Sequence, residues 1–169
     1  MRYSILRWAL IPAIALHNFE EWLTFPYFRQ SYEEMIERIG LGIQPPSWAV
    51  TQLALVIATI IPVFGIALAA RGQRSRIKDF FICFIAAVFL ANAFLPHIPA
   101  VIVMGGYAPG VITAVLINLP LCAWLLHSAV RERILSVQQA AACVVLGAVS
   151  VAPSIVAIMF VSGQLTRFL

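Results

Sequence analysis

Long apolar runs broken by short polar clusters set the pattern of this chain. Runs of about 20 apolar residues are long enough to cross a bilayer as helices. Five occur, roughly over residues 5–25, 47–70, 79–104, 108–130 and 137–162. The alternation of a membrane barrel strand is absent, and a backbone in lipid must satisfy its own polar groups, so the runs predict helices. The link SYEEMIERIG (31–40) has a different period. Tyr32, Met35, Ile36 and Ile39 fall on one helical face. Ser31 and Glu34 have the spacing of a capping box, and Gly40 suits a helix end. This predicts a short external amphipathic helix, lying on the membrane surface or closing over a site as a lid. GGYAPG (105–110) predicts a tight external turn, with Pro109 in the first turn of span four. With no internal repeat and no linker, the expectation is an all-α, polytopic membrane helix bundle, a single transmembrane domain over residues 1–169.

Composition strengthens this picture. Of 169 residues, 62% are hydrophobic and 11% charged, against about a quarter charged in soluble domains. Any site must therefore lie between helices or in a short loop. The net charge of +4 does not point to nucleic acid, because the basic residues flank the apolar runs. Arg71, Arg74, Arg76 and Lys78 lie between spans two and three, Arg131 and Arg133 after span four, and Arg2 and Arg7 at the start. The opposite ends carry only Arg29, Arg38 and Arg167. The positive-inside rule then predicts a cytoplasmic N-terminus and an external C-terminus. Arg2 and Arg7 before an apolar run resemble a signal peptide, but the run is short and holds Pro12, so cleavage is not expected. Cys83, Cys122 and Cys143 are scattered through apolar spans, with neither a disulfide framework nor a metal pair. They are expected to be small buried apolar residues.

One polar cluster interrupts the first span. LHNFEEW (16–22) carries His17, Glu20 and Glu21, which at i, i+3 and i+4 share a helix face. Ionisable groups inside a span are costly and by default mark function. At about 1.5 Å per residue, His17 and the glutamates sit at depths close to those of Asn92 and His97 in span three, which runs in the same direction. Two imidazoles and a carboxylate suit a borderline divalent metal, zinc favoured and iron the alternative. His17, Glu20 and His97 are the expected ligands and Glu21 the acid/base, and the two glutamates could exchange these roles. Asn92, Asn118 and Tyr107 are candidates for substrate contact or for orienting the ligands. A structural reading also stands: a His–Glu pair could simply neutralise its own burial cost.

These residues also carry a likeness. HNFEE (17–21), with Asn92, His97 and the YAPG turn (107–110) downstream, resembles the HXXEE family of bacterial membrane proteins, which has no firmly assigned reaction. The resemblance is expected to span the whole chain. It implies His17, Glu20, Glu21, Asn92 and His97 as the site and names no substrate. The leading expectation is a metal-dependent membrane enzyme, a hydrolase acting on a lipid-like or amphiphilic substrate in the outer half of the bilayer. A metal-free isomerase or cyclase of a terpenoid-like lipid is one alternative. A non-enzymatic transporter of protons, metal ions or a small solute is the other. Oligomeric state is left open.

Overall fold

A computed structural model describes residues 2–40 and 44–168. The described residues form seven α-helices and two π-turns: α1 (Arg2–Ile39), α2 (Trp48–Ala70), α3 (Arg76–Asn92), α4 (Ile98–Met104), α5 (Val111–Thr113), α6 (Leu119–Arg131) and α7 (Val137–Leu165). A π-turn at Ala93–His97 joins α3 to α4, and a second at Ala114–Asn118 joins α5 to α6. The elements make five rods. Four are long and apolar enough to cross a membrane: Trp48–Ala70, Arg76–Met104, Val111–Arg131 and Val137–Leu165. The fifth rod, α1, has ample length, but His17, Asn18, Glu20 and Glu21 dilute its apolar character.

Helix starts follow short polar signals. The Ser47 side chain accepts from the Val50 amide at the start of α2, and Ser75 accepts from the Lys78 amide at the start of α3. A reciprocal capping box of Ser136 and Gln139 opens α7.

The amphipathic stretch is not a separate helix. α1 runs unbroken through it, for about 57 Å at 1.5 Å per residue, and Ser31 is an interior position rather than a cap. Two pairs four residues apart bridge the expected boundary, Arg29 with Glu33 at 2.8 Å and Gln30 with Glu34 at 3.1 Å, and Arg38 with Glu34 at 3.8 Å continues the series beyond it. Such pairs extend a helix already nucleated upstream more cheaply than a new one can start. Phe25 packs on both Tyr32 and Trp48, holding the extension beside the start of α2.

Side-chain contacts set the helix directions. Tyr3 donates its hydroxyl to the Asp79 carbonyl at 3.4 Å, and its amide to Glu132 at 3.0 Å. Fourteen residues further along α1, His17 meets Asn92 and Thr113. α1 therefore runs parallel to α3 and antiparallel to the α5–α6 rod. Asn18 donates to Thr59 at 2.8 Å, tying α1 to the antiparallel α2. An interhelical bond of this kind contributes about 0.6 kcal/mol, and up to about 1–2 kcal/mol. α7 packs on α3, and Gly147 allows the approach: a Cβ there would fall 2.7 Å from the Ala87 backbone carbon.

The packing divides the bundle into two halves. Tyr3, Leu10, Ile14, Ile66, Ile82 and Leu125 are fully buried in one continuous core at the end where α1 begins. The three cysteines are free and buried, all within that core. The other half holds His17, Glu21, Asn92 and His97 and a cavity of about 560 Å³.

Candidate metal centre

Three prolines and two wide turns shape the site. A proline ring lacks an N–H and crowds the carbonyl four residues before it. Pro96, Pro99 and Pro120 place that demand around two neighbouring points of the bundle. Both rods respond with a π-turn: the Ile98 amide bonds to the Ala93 carbonyl, and the Leu119 amide to the Ala114 carbonyl. Each widening inserts a residue into the helical register and re-aims the side chains beyond it, a device frequent at functional sites. His97 closes the first π-turn and Asn118 the second, and the two turns pack on each other.

His17, Glu21, Asn92 and His97 meet at this level. Glu21 Oε1 lies 3.2 Å from His97 Nε2 and 3.6 Å from His17 Nε2. The Asn92 amide nitrogen lies 3.2 Å from His17 Nε2 and 3.0 Å from His97 Nε2. The imidazole rings stand edge to face, 4.8 Å between centroids. Both histidines are buried. Glu21 is 21% exposed and lines the cavity together with them.

Glu20 faces elsewhere. Its Oε2 accepts from the Thr113 amide at 2.7 Å and the Thr113 hydroxyl at 2.5 Å. Its Oε1 accepts from the Tyr107 hydroxyl at 2.6 Å and the Ile112 amide at 3.2 Å. The carboxylate thus satisfies amides at the start of the α5–α6 rod, where the helix dipole favours negative charge. Burial and the adjoining Glu20 raise the Tyr107 phenol above its usual value, which keeps it a donor. Tyr107 also contacts Thr24, at 3.2 Å.

Sequence reasoning missed Thr113 and Gly110. The Thr113 hydroxyl lies 3.0 Å from His17 Nδ1 while donating to Glu20. His17 Nδ1–H can therefore donate to Thr113 Oγ1, which leaves the Nε2 lone pair facing the cavity. A histidine anchored through one nitrogen presents the other as a ligand. Gly110 adopts a φ of +81°, and a Cβ there would fall 2.6 Å from Glu21 Cγ and 2.9 Å from His97 Cε1. Both the backbone conformation and the space exclude a side chain. Gly110 immediately precedes α5, so Pro109 stands in the turn before the helix and not in its first turn as expected. The glycine beside it was visible in GGYAPG, but its neighbours were not. Asn118 is fully buried, and neither side-chain polar atom has a partner among the described residues. It does not line the cavity.

The donor set fits a divalent metal. A ring nitrogen from each of His17 and His97 and a Glu21 oxygen lie within 4.8 Å of one another. Donors about 2.0–2.1 Å from a tetrahedral zinc are about 3.3 Å apart, close to the two Glu21 separations.

The residues that open this site are those of a known signature. A family model described as "Protein of unknown function with HXXEE motif" matches residues 8–125. The chain belongs to the HXXEE family. His17, Glu20 and Glu21 are the residues of its motif. The match takes in α1 through most of α6 and stops before α7, short of the whole-chain likeness expected. "Uncharacterized protein YrkK" of Bacillus subtilis (strain 168) is 28% identical over 108 residues, which make up 64% of this chain and 64% of that protein. The chain thus spans somewhat less than two thirds of that curated relative. No solved structure matches it. Within the HXXEE motif, the two glutamates have different surroundings: Glu20 braces a helix start, and Glu21 faces the histidines.

Proposed function

We propose that this protein is a metal-dependent membrane hydrolase acting on a lipid-like or amphiphilic substrate. The observation that carries the reading is the convergence of His17, Glu21 and His97 at one place on the wall of a largely apolar cavity. These three would hold the metal, with zinc the favoured ion and iron the alternative. When bound, the ion would supply Lewis acidity and a water activated at neutral pH. Glu21 Oε1 is the carboxylate oxygen that reaches both histidines, which makes Glu21 the carboxylate ligand in this reading. Its second oxygen would serve as the acceptor for a proton released in the cavity. Glu20 is committed to four donors, so its part is to fix Thr113 and, through it, His17. Asn92 contacts the same two Nε2 atoms, so on metal binding its amide would turn aside or present its oxygen to the ion.

The close-packed half of the bundle favours a blind pocket over a transport path. Tyr3, Leu10, Ile14 and Ile66 fill the route a solute would take beyond His17. In the same reading the site faces the outer half of a bacterial inner membrane, with the N-terminus cytoplasmic and the C-terminus external. Membrane lipids surround the bundle, and nucleic acid is no partner.

Elemental analysis of the purified protein tests the assignment. About one divalent ion per chain is expected in wild type, with loss in His17→Ala, His97→Ala and Glu21→Gln and retention in Glu20→Gln. A folded His17→Ala protein that keeps stoichiometric metal overturns the ligand set. A clean, metal-free and active preparation favours the acid/base isomerase or cyclase instead.

A further inference from the structure

The cavity behind the metal centre gathers its imidazoles and its carboxylate at one place on a largely apolar wall. His17, Glu21, Asn92 and His97 sit there, while Ile57, Phe84, Phe89, Val151 and Ile158 line its apolar walls. The walls come from α1, α2, α3, α4 and α7, and α7 lies outside the stretch matched by the family model. Size narrows the occupant. At about 30 Å³ per water-sized group, about 560 Å³ holds on the order of 20 such groups. That is room for one long hydrocarbon chain. The volume also falls in the usual range of about 300–1,000 Å³ for pockets that bury a small molecule.

We propose that the cavity takes a single-chain amphiphile: one acyl- or isoprenyl-type chain along the apolar walls, with its ester- or amide-linked head at His17, Glu21 and His97. The assignment of the head rests on the hydrolase reading, whereas that of the chain does not. In the hydrolysis, the oxygen of water bonds to the carbonyl carbon and the carbon–oxygen or carbon–nitrogen bond to the leaving group breaks. The proton lost by water ends on that leaving group. A two-chain phospholipid would have to leave one chain outside the walls.

Photolabelling in nanodiscs tests the chain assignment on the full protein. The probe is a palmitoyl ester with a diazirine in mid-chain, and labelled residues are mapped by peptide mass spectrometry. Labels are expected on Ile57, Phe84 and Ile158. Excess monoacyl lipid should compete, and excess diacyl phospholipid should not. Ala58→Phe and Ala100→Phe fill the cavity from two different helices, and each should cut the labelling about tenfold while metal content stays at the wild-type level. Labelling confined to the outward-facing Ile60, Phe64, Val156 and Phe160 would overturn the proposal. So would equal competition by diacyl lipid, or labelling unchanged in both filled variants. The same labelling in Glu21→Gln and in chelator-treated protein separates the two readings. Cavity labels in a protein that never holds metal support the chain site and sink the metal-dependent hydrolase.

Discussion

At the scale of single residues, the site is decided by which hydrogen bond each polar atom makes. Thr113 is the clearest case, since its hydroxyl stands between His17 Nδ1 and Glu20 Oε2. Partners of this kind around metal ligands are worth about 10–100-fold in affinity. Thr113→Val should therefore weaken zinc binding by about that factor, and Thr113→Ser should restore it. Competition against a chelator of known affinity measures both, and equal affinity in all three proteins would remove Thr113 from the site. Gly110 offers a second test. A left-handed backbone costs a residue with a side chain about 1–3 kcal/mol, and here the added Cβ also meets Glu21 and His97. Gly110→Ala should lower the melting temperature and weaken metal binding together. Gly106 has no neighbour within 4 Å of an added Cβ, so Gly106→Ala should leave metal binding unchanged. Glutamates 20 and 21 are equivalent as letters in a motif. Their difference arises from the 100° turn between adjacent helical positions, which sends one carboxylate to the start of α5 and the other to the histidines.

At the scale of elements, the two π-turns matter most. The apolar run from 79 to 104 is legible as one span, and its helical character is plain from hydropathy alone. The extra residue per turn at Ala93–His97 is not legible in that way, because prolines mark a disturbance without stating how the helix absorbs it. Replacing Pro96 and Pro99 by alanine, which removes the demand that opens the turn, should let the segment relax to α-helical register and rotate His97 by about 100°. Helicity by circular dichroism should persist while zinc binding is lost. Retained zinc binding would show that the π-turn does not aim His97. The continuity of α1 belongs to the same scale. Helical periodicity over 31–40 was read correctly as helix, yet the break before it was not there. Caps are required where a helix begins, and nothing in Ser31 and Glu34 distinguishes a cap from an interior pair once the upstream helix continues.

At the scale of the whole molecule, a packed half and a hollow half share one bundle. The core around Tyr3, Ile66, Ile82 and Leu125 gives the bundle its rigid base. Arg74 adds to that end, donating to Asp79 at 3.1 Å and lying 5.3 Å over the Tyr3 ring. A topology follows from the charges around this base. Reporter fusions at residues 73 and 133 should be cytoplasmic, and fusions at 106 and at the C-terminus external. The opposite pattern would put the metal centre in the inner half of the bilayer and reverse the direction from which substrate arrives.

Hydropathy alone determined the class of fold, because a backbone in lipid has no partner but itself, and helices are the solution for runs of this length. The cost of burying charge singled out His17, Glu20 and Glu21, and the common rise per residue linked them to Asn92 and His97 without any coordinates. Only the tertiary structure decided which glutamate meets the histidines, that Thr113 and Gly110 complete the site, and that Asn118 stays outside the cavity. Those outcomes depend on rotations of a fraction of a turn and on close approaches between residues 75 to 96 positions apart. Hydrophobic period is insensitive to both, since it is satisfied by any rotation that keeps the apolar face covered.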